Sequence, residues 1–227
     1  MTNSSPEARD AIMQSIRSNL AASVGIAHTD HAIVPDHGEL ILENGSLSPI
    51  ERFRERLESV GGNCDVVKGE DEAARALSAV LADLQSKNAA KRIALSDAPV
   101  VSSLARGIAA DEISVCPAPA DLFNYDVGIT MAQLAIAETG TLVLEAETER
   151  HRLVSLLPPV HSAVVYARDI VLTIGDALNQ LRGDESKQMS RAITFITGPS
   201  RTADIELTLT VGVHGPKELH VIVIDGR

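Results

Sequence analysis

Apolar positions recur along this chain in two rhythms. Ile12, Ile16 and Leu20 come every fourth residue with Met13 beside them, and Ser5-Pro6-Glu7 supplies an N-cap serine and a first-turn proline ahead of them. That pattern predicts an amphipathic helix whose stripe needs a docking surface. Residues 25–47 have no period and read as an extended arm. Ser48-Pro49-Ile50-Glu51 is a capping box with proline at the first helical position. The helix it opens carries Ile50, Phe53, Leu57 and Val60 on one face and stops at Gly61-Gly62.

From residue 64 onward, short apolar runs alternate with amphipathic segments. Strands are expected at 64–67, 93–95, 113–115, 127–130, 142–144, 163–166, 193–197 and 220–224. Helices are expected at 71–85, with Ala74, Leu77, Leu81 and Leu84 on one face, at 99–109, and at 169–181. Strands alternating with helices of this length predict an α/β fold with a mostly parallel central sheet. The expected division is an N-terminal helix and arm over 1–47 and an α/β domain over 48–227.

Composition narrows the function. Of 227 residues, 44% are apolar, enough for a packed core, but only 2% are aromatic. The core must be built from Leu, Ile, Val and Ala, and aromatic platforms for stacking single-stranded bases are excluded. Twenty basic against 31 acidic side chains give a net charge of −11, which opposes non-specific binding to nucleic acid or acidic membranes. A small anionic substrate in a locally basic pocket stays open. Cys64 and Cys116 are too few for an iron–sulfur cluster or a structural zinc within this chain. No apolar run is long enough to span a membrane, and the N-terminus lacks the pattern of a secretory signal, so a reduced, cytoplasmic protein is expected.

Four segments carry candidate chemistry. In Glu138-Thr139-Gly140-Thr141, a turn between two apolar runs would expose Glu138, Thr139 and Thr141 at a strand end, with Gly140 at positive φ. The competing reading is an ordinary turn whose hydroxyls bond their own backbone. Gly198-Pro199-Ser200-Arg201-Thr202 follows a strand and is expected to enter a helix. The free amides of that helix N-terminus, with donors from Ser200, Arg201 and Thr202, would hold an anion. Simple capping by Ser200 is the alternative. His214 sits between two glycines in Gly212-Val213-His214-Gly215-Pro216, where a side chain titrating near neutrality is exposed. Arg152, with Ser155 and His161, flanks Leu156-Leu157-Pro158-Pro159, and Arg152 could fork onto a carboxylate or pair with Glu147 or Glu149. Glu138 and His214 are the acid–base candidates. Thr139, Gly140, Thr141, Arg152, Gly198, Ser200, Arg201 and Thr202 are the substrate-binding candidates. Glu138, Thr139, Ser200, Thr202 and His214, with Arg152 as an addition, are expected to meet in one cleft at the carboxyl ends of the parallel strands. His28, Asp30, His31, Asp36 and His37 are ligand types crowded into the aperiodic arm, where a solvated linker outweighs a metal site; no metal site is expected.

Taken together, and in this order, Ala137-Glu138-Thr139-Gly140-Thr141, Ser155-Leu156-Leu157-Pro158 with His161, Gly198 to Glu206, and Gly212 to Pro216 resemble the lactate-utilisation (LUD) domain family. The resemblance runs from about Phe53 to Ile224 and is strongest from Tyr125 onward. It is closest to short, cluster-free members of bacterial lactate-utilisation systems. Two residues depart from the family pattern: Met131, where a small residue is common, and Ser162, where a branched apolar one is common. Met131 lies close in sequence to the Gly140 turn and is placed to reshape a pocket there.

The resemblance implies a Rossmann-like α/β fold similar to ribose-5-phosphate isomerase, glucosamine-phosphate deaminase and CoA transferases. It also implies a part in oxidising L-lactate to pyruvate, beside an iron–sulfur LUD-type partner and a Cys-rich redox partner that hold the clusters. Two further readings stay open. One is a free-standing isomerase- or transferase-like enzyme using Glu138 as base or nucleophile. The other is a sensor of a small carboxylate, sugar phosphate or CoA-type anion.

Overall fold

The computed structural model describes residues 6–23, 47–87, 90–146, 149–182, 190, 192–203, 209–212 and 215–226. The chain divides into two units, Met1–His37 and Gly38–Arg227. The first holds the expected N-terminal helix, α1 (Pro6–Ser23). The cluster from His28 to His37 lies outside the described residues, as does most of the expected arm.

The second unit opens with α2 (Pro49–Ser59), started by the capping box its sequence encodes. The Ser48 amide donates to Glu51 Oε2 at 2.7 Å and the Glu51 amide donates to Ser48 Oγ at 3.3 Å. Then come β1 (Asn63–Val67), α3 (Glu70–Ser86), β2 (Arg92–Leu95), α4 (Pro99–Leu104), β3 (Glu112–Val115) and β4 (Val127–Met131). The chain continues through β5 (Leu134–Ile136), β6 (Thr141–Ala146), α5 (Glu149–Leu156), β7 (Val160–Tyr166), β8 (Ile170–Val171) and α6 (Ile174–Arg182). It finishes with β9 (Ala192–Ile196), β10 (Arg201–Ala203), β11 (Leu209–Val211) and β12 (Glu218–Ile224).

Six strands form a central sheet in the order β1-β12-β7-β4-β2-β3, every described pair parallel. The fold is the α/β class with a mostly parallel central sheet that the alternation of segments predicts. A second, four-stranded sheet, β8-β5-β6-β9, was not foreseen. Its β5–β6 and β6–β9 pairs are antiparallel.

Because side chains alternate across a strand, the central sheet has two apolar faces. On one, Leu77, Leu81 and Leu84 of α3 pack on Ile93, Ile129 and Ile222. On the other, Ala163, Val165 and Val223 pack against Leu142 and Leu144 of the second sheet and Phe53 and Leu57 of α2. Each fully buried side chain of this size contributes roughly 1.5–3 kcal/mol. Met131 packs with the first face rather than with the Gly140 turn, which belongs to the second sheet. Its expected effect on a pocket at that turn is therefore corrected: alternation in β4 sends it to the opposite layer.

Three boundaries depart from expectation for identifiable reasons. The helix expected at 99–109 ends at Leu104, and the chain soon turns at Gly107 with φ +82°. The helix expected at 169–181 begins only at Ile174. Residues 170–171 are taken by β8, and Thr173 and Asp176 form a reciprocal cap with both bonds at 3.0 Å. The strand expected from Ala163 begins at Val160, straight after Pro158-Pro159. That earlier start draws His161 and Ser162 into the sheet.

Candidate functional site

The Gly140 turn joins β5 to β6, with the Gly140 amide donating to Ile136 O at 3.0 Å. Gly140 has φ +65°, and a Cβ there would run into the Leu57 amide nitrogen, so both backbone conformation and close packing on α2 demand glycine. The turn divides its polar side chains. Glu138 leans towards α6, where its Oε1 accepts the Ile174 amide at 2.7 Å, at the first residue of that helix. Thr139 and Thr141 line a recess together with Ile174 and Leu178 of that helix. Their hydroxyls share a hydrogen bond at 2.7 Å, and Thr141 shares another at 2.7 Å with the Thr197 hydroxyl at the end of β9. Thus Thr139 and Thr141 do meet the loop that carries Gly198, and Glu138 is engaged elsewhere.

No helix begins in the described residues that follow Gly198, so the expected anion-binding helix N-terminus is corrected. Residues 201–203 are a strand, β10, paired antiparallel with β11, with Thr202 opposite Thr210. Both backbone groups of Ser200 are taken: its N–H donates to Pro216 O at 2.8 Å and its carbonyl accepts the Gly212 N–H at 2.9 Å. Arg201 is engaged by α2, its Nη2 donating to Val60 O at 2.7 Å at the C-terminal end of that helix, where Val60 also packs against Gly198. Arg152 is half-buried on α5, and its carbonyl accepts the Ser155 hydroxyl at 2.7 Å. His214 lies outside the described residues.

A cavity of about 180 Å³ opens beside this loop, in the gap between the two sheets. That compares with roughly 150 Å³ for an engineered cavity that takes benzene. His161 and Ser155 are the buried polar groups of its lining, Leu156 and Leu219 supply apolar wall, and Thr197, Gly198 and Ser200 come from the loop. It lies near the amino-terminal ends of β7 and β12 and not at the carboxyl ends of the strands, as expected from the parallel topology. The second sheet stacks over this face and encloses the opposite region. A shallower, mostly apolar recess adjoins it, sharing Phe195 and Thr197 and reaching Thr139 and Thr141.

His161 is the polar centre that the sequence reading left out of the site. It is 1% exposed, and its Nε2 lies 2.8 Å from Thr130 Oγ1 on neighbouring β4. Burial pushes its pKa down to about 3, so the ring stays neutral. Among the described residues its Nδ1 has no hydrogen-bond partner. Ser96, following β2, has a buried hydroxyl likewise without a partner. The ring is accommodated because β4 offers Gly128 opposite His161. A Cβ at Gly128 would run into Val154 O, so α5 also packs directly on the strand there. The signal that could have found this site is a histidine inside an otherwise apolar strand following two prolines.

Among the described residues no three His, Cys, Asp or Glu side chains gather as a metal site. Cys64 is buried, and desolvation raises its thiol to about 12, which disfavours the thiolate that redox chemistry and metal binding need.

A family model of the LUD domain matches residues 50–224, nearly the whole of the second unit. The chain belongs to the LUD domain family. Within this family it is similar to the "Lactate utilization protein C" of Macrococcus caseolyticus, 41% identical over 104 residues and 45% of each chain. The protein of the same name from Oceanobacillus iheyensis is 37% identical over 102 residues and 44% of each chain. That from Bacillus subtilis is 39% identical over 104 residues, 45% of this chain and 43% of the relative. These matches span a little under half the length of each relative. Among solved structures, a DUF162 family protein from Deinococcus radiodurans superposes with a TM-score of 0.53 at 24% identity, over 79% of this chain and 99% of its own. That likeness shows the fold.

Proposed function

We propose that this LUD domain chain is a component of a cytoplasmic system that oxidises L-lactate to pyruvate, acting with an iron–sulfur LUD-type partner and a Cys-rich redox partner. The observation that carries this reading is the segment of 104 residues shared with a relative named for lactate utilisation, together with a family match that covers most of the chain. Two features support the division of labour. The chain has two cysteines against the four thiolates of an ordinary cluster, and Cys64 is buried as a protonated thiol. Electrons taken from lactate would therefore leave through other subunits. Among the described residues no helix is long and apolar enough to cross a membrane.

The alternative of a free-standing isomerase or transferase relied on Glu138 as base or nucleophile. With one oxygen of that carboxylate held on the Ile174 amide, the subunit reading has the better support. The deciding experiment is reconstitution with and without each partner, followed by lactate-dependent dye reduction. Dye reduction that requires this chain together with both partners is the expected result. Full activity without this chain would overturn the proposal.

A further inference from the structure

Helix α6 leaves an apolar stripe uncovered. Its inner side, Ala177 and Leu181, packs on Leu134, Ile136 and Val143 of the second sheet. Ile174 and Leu178, one turn apart, are 43% and 40% exposed. Phe195 of β9, 43% exposed, stands beside them, and the three wall the recess that also holds Thr139, Thr141 and Thr197. Large apolar side chains gathered at one opening are the kind of patch that marks an association surface.

Charge selects the occupant. Arg182 is the next residue along the stripe, one turn beyond Leu178, and it is exposed. At the other end the Glu138 carboxylate accepts the Ile174 amide at 2.7 Å. Among the described residues neither Glu138 nor Arg182 forms an ion pair. An apolar stripe with unlike charges at its two ends complements itself when turned end for end. We infer that this face is a homodimer interface, formed by an antiparallel pair of α6 helices around a two-fold axis at Leu178. The axis sets Leu178 against its own copy and Ile174 against the aliphatic stem of Arg182, and it brings each guanidinium to Glu138 of the other copy. Opposed helix dipoles favour the same arrangement. The net charge of −11 on each chain is screened beyond about 8 Å at physiological ionic strength, so the contacts at the stripe decide the association. Such a dimer requires neither lactate nor an iron–sulfur partner and is independent of the proposed function.

Sedimentation equilibrium of the full chain over a range of concentrations tests it, and a reversible dimer is expected. Leu178→Glu sets two carboxylates face to face at the axis. It should weaken dimerisation by on the order of a hundredfold, because each substitution acts twice in a symmetric dimer. Arg182→Glu should weaken it by about tenfold. Adding Glu138→Arg to that variant should recover most of the loss, a rescue that an effect on folding alone would not produce. Leu178→Cys in a Cys116→Ser background, where the remaining Cys64 is buried, should be joined into a covalent dimer by a short bis-maleimide. Should Leu178→Glu fail to fold, the charge exchange and the cross-link decide. A chain that stays monomeric throughout would overturn the inference. So would a dimer that Leu178→Glu leaves intact, since the contact would then lie elsewhere, as at the exposed Ile12 and Ile16 of α1. A monomer that loses an iron–sulfur partner through Leu178→Glu would assign the face to that partner, and the homodimer would fall.

Discussion

His161 Nε2 and Thr130 Oγ1 lie 2.8 Å apart across two adjacent parallel strands, on the face of the central sheet that the second sheet covers. The pair is diagonal in register, since His161 stands opposite Gly128 and Thr130 opposite Ala163. It puts a neutral imidazole where an apolar side chain would ordinarily sit.

This burial makes stability depend on acid. In the folded state His161 is pushed from 6.5 down to about 3, while in the unfolded chain it keeps its ordinary value. Between those two pH values the unfolded state binds the extra proton, so stability falls as pH falls, by up to about 1.4 kcal/mol per unit. Urea denaturation at pH 7.5 and pH 5 should show a loss that His161→Gln lacks, with other titrating groups common to both. Equal acid sensitivity in the two proteins would contradict the buried neutral ring.

Two glycines at positive φ separate backbone strain from crowding. Gly69 has φ +81° with nothing within 4 Å of an added Cβ, while Gly140 has φ +65° and would meet Leu57 backbone. Gly69→Ala should cost about 1 kcal/mol from strain alone. Gly140→Ala should cost at least about 2 kcal/mol, because α2 must also shift. Denaturant midpoints of the two variants measure the difference.

Glu138→Gln keeps an oxygen for the Ile174 amide but removes its charge from the start of α6. The expected loss is about 0.3–1 kcal/mol, the usual scale of a charge at a helix N-terminus. Lactate-dependent dye reduction by the reconstituted system should survive. Loss of that activity with assembly intact would return Glu138 to the chemistry.

Arg201→Met retains much of the aliphatic stem and deletes the donor to Val60 O. A loss of about 1 kcal/mol in unfolding free energy is expected, with lactate-dependent dye reduction by the reconstituted system unchanged. Loss of dye reduction at unchanged stability would place Arg201 in the site after all.

The parallel sheet was legible because strands buried on both faces are short runs of Val, Ile, Leu and Ala, as at 163–165 and 221–224. The start of α2 was legible because a capping box is written in four adjacent residues. What local pattern does not carry is the choice of partner. Residues 201–203 follow a strand and a Gly-Pro-Ser loop as a helix would, yet they pair with 209–211 as a hairpin. The Gly140 turn could be read, but not that Glu138 would be taken by α6, because α6 starts 36 residues on. His161 escapes as a site residue because the unbroken apolar run that marks the strand starts only at Ala163. Starting it after Pro159 puts a histidine in a buried strand, where its polarity demands an explanation.

The position of β12 bears on how the protein is made. Residues 218–224 pair with β1 on one side and β7 on the other, so both neighbours wait for a strand synthesised long after them. At about 5–20 residues per second, the interval between residues 166 and 218 is about 3–10 s. Throughout it the edges of β1 and β7 that β12 will join lack their partner, the kind of surface that recruits other chains. Ribosome-associated chaperones have that window in which to shield it, and slowing translation within it would lengthen the exposure.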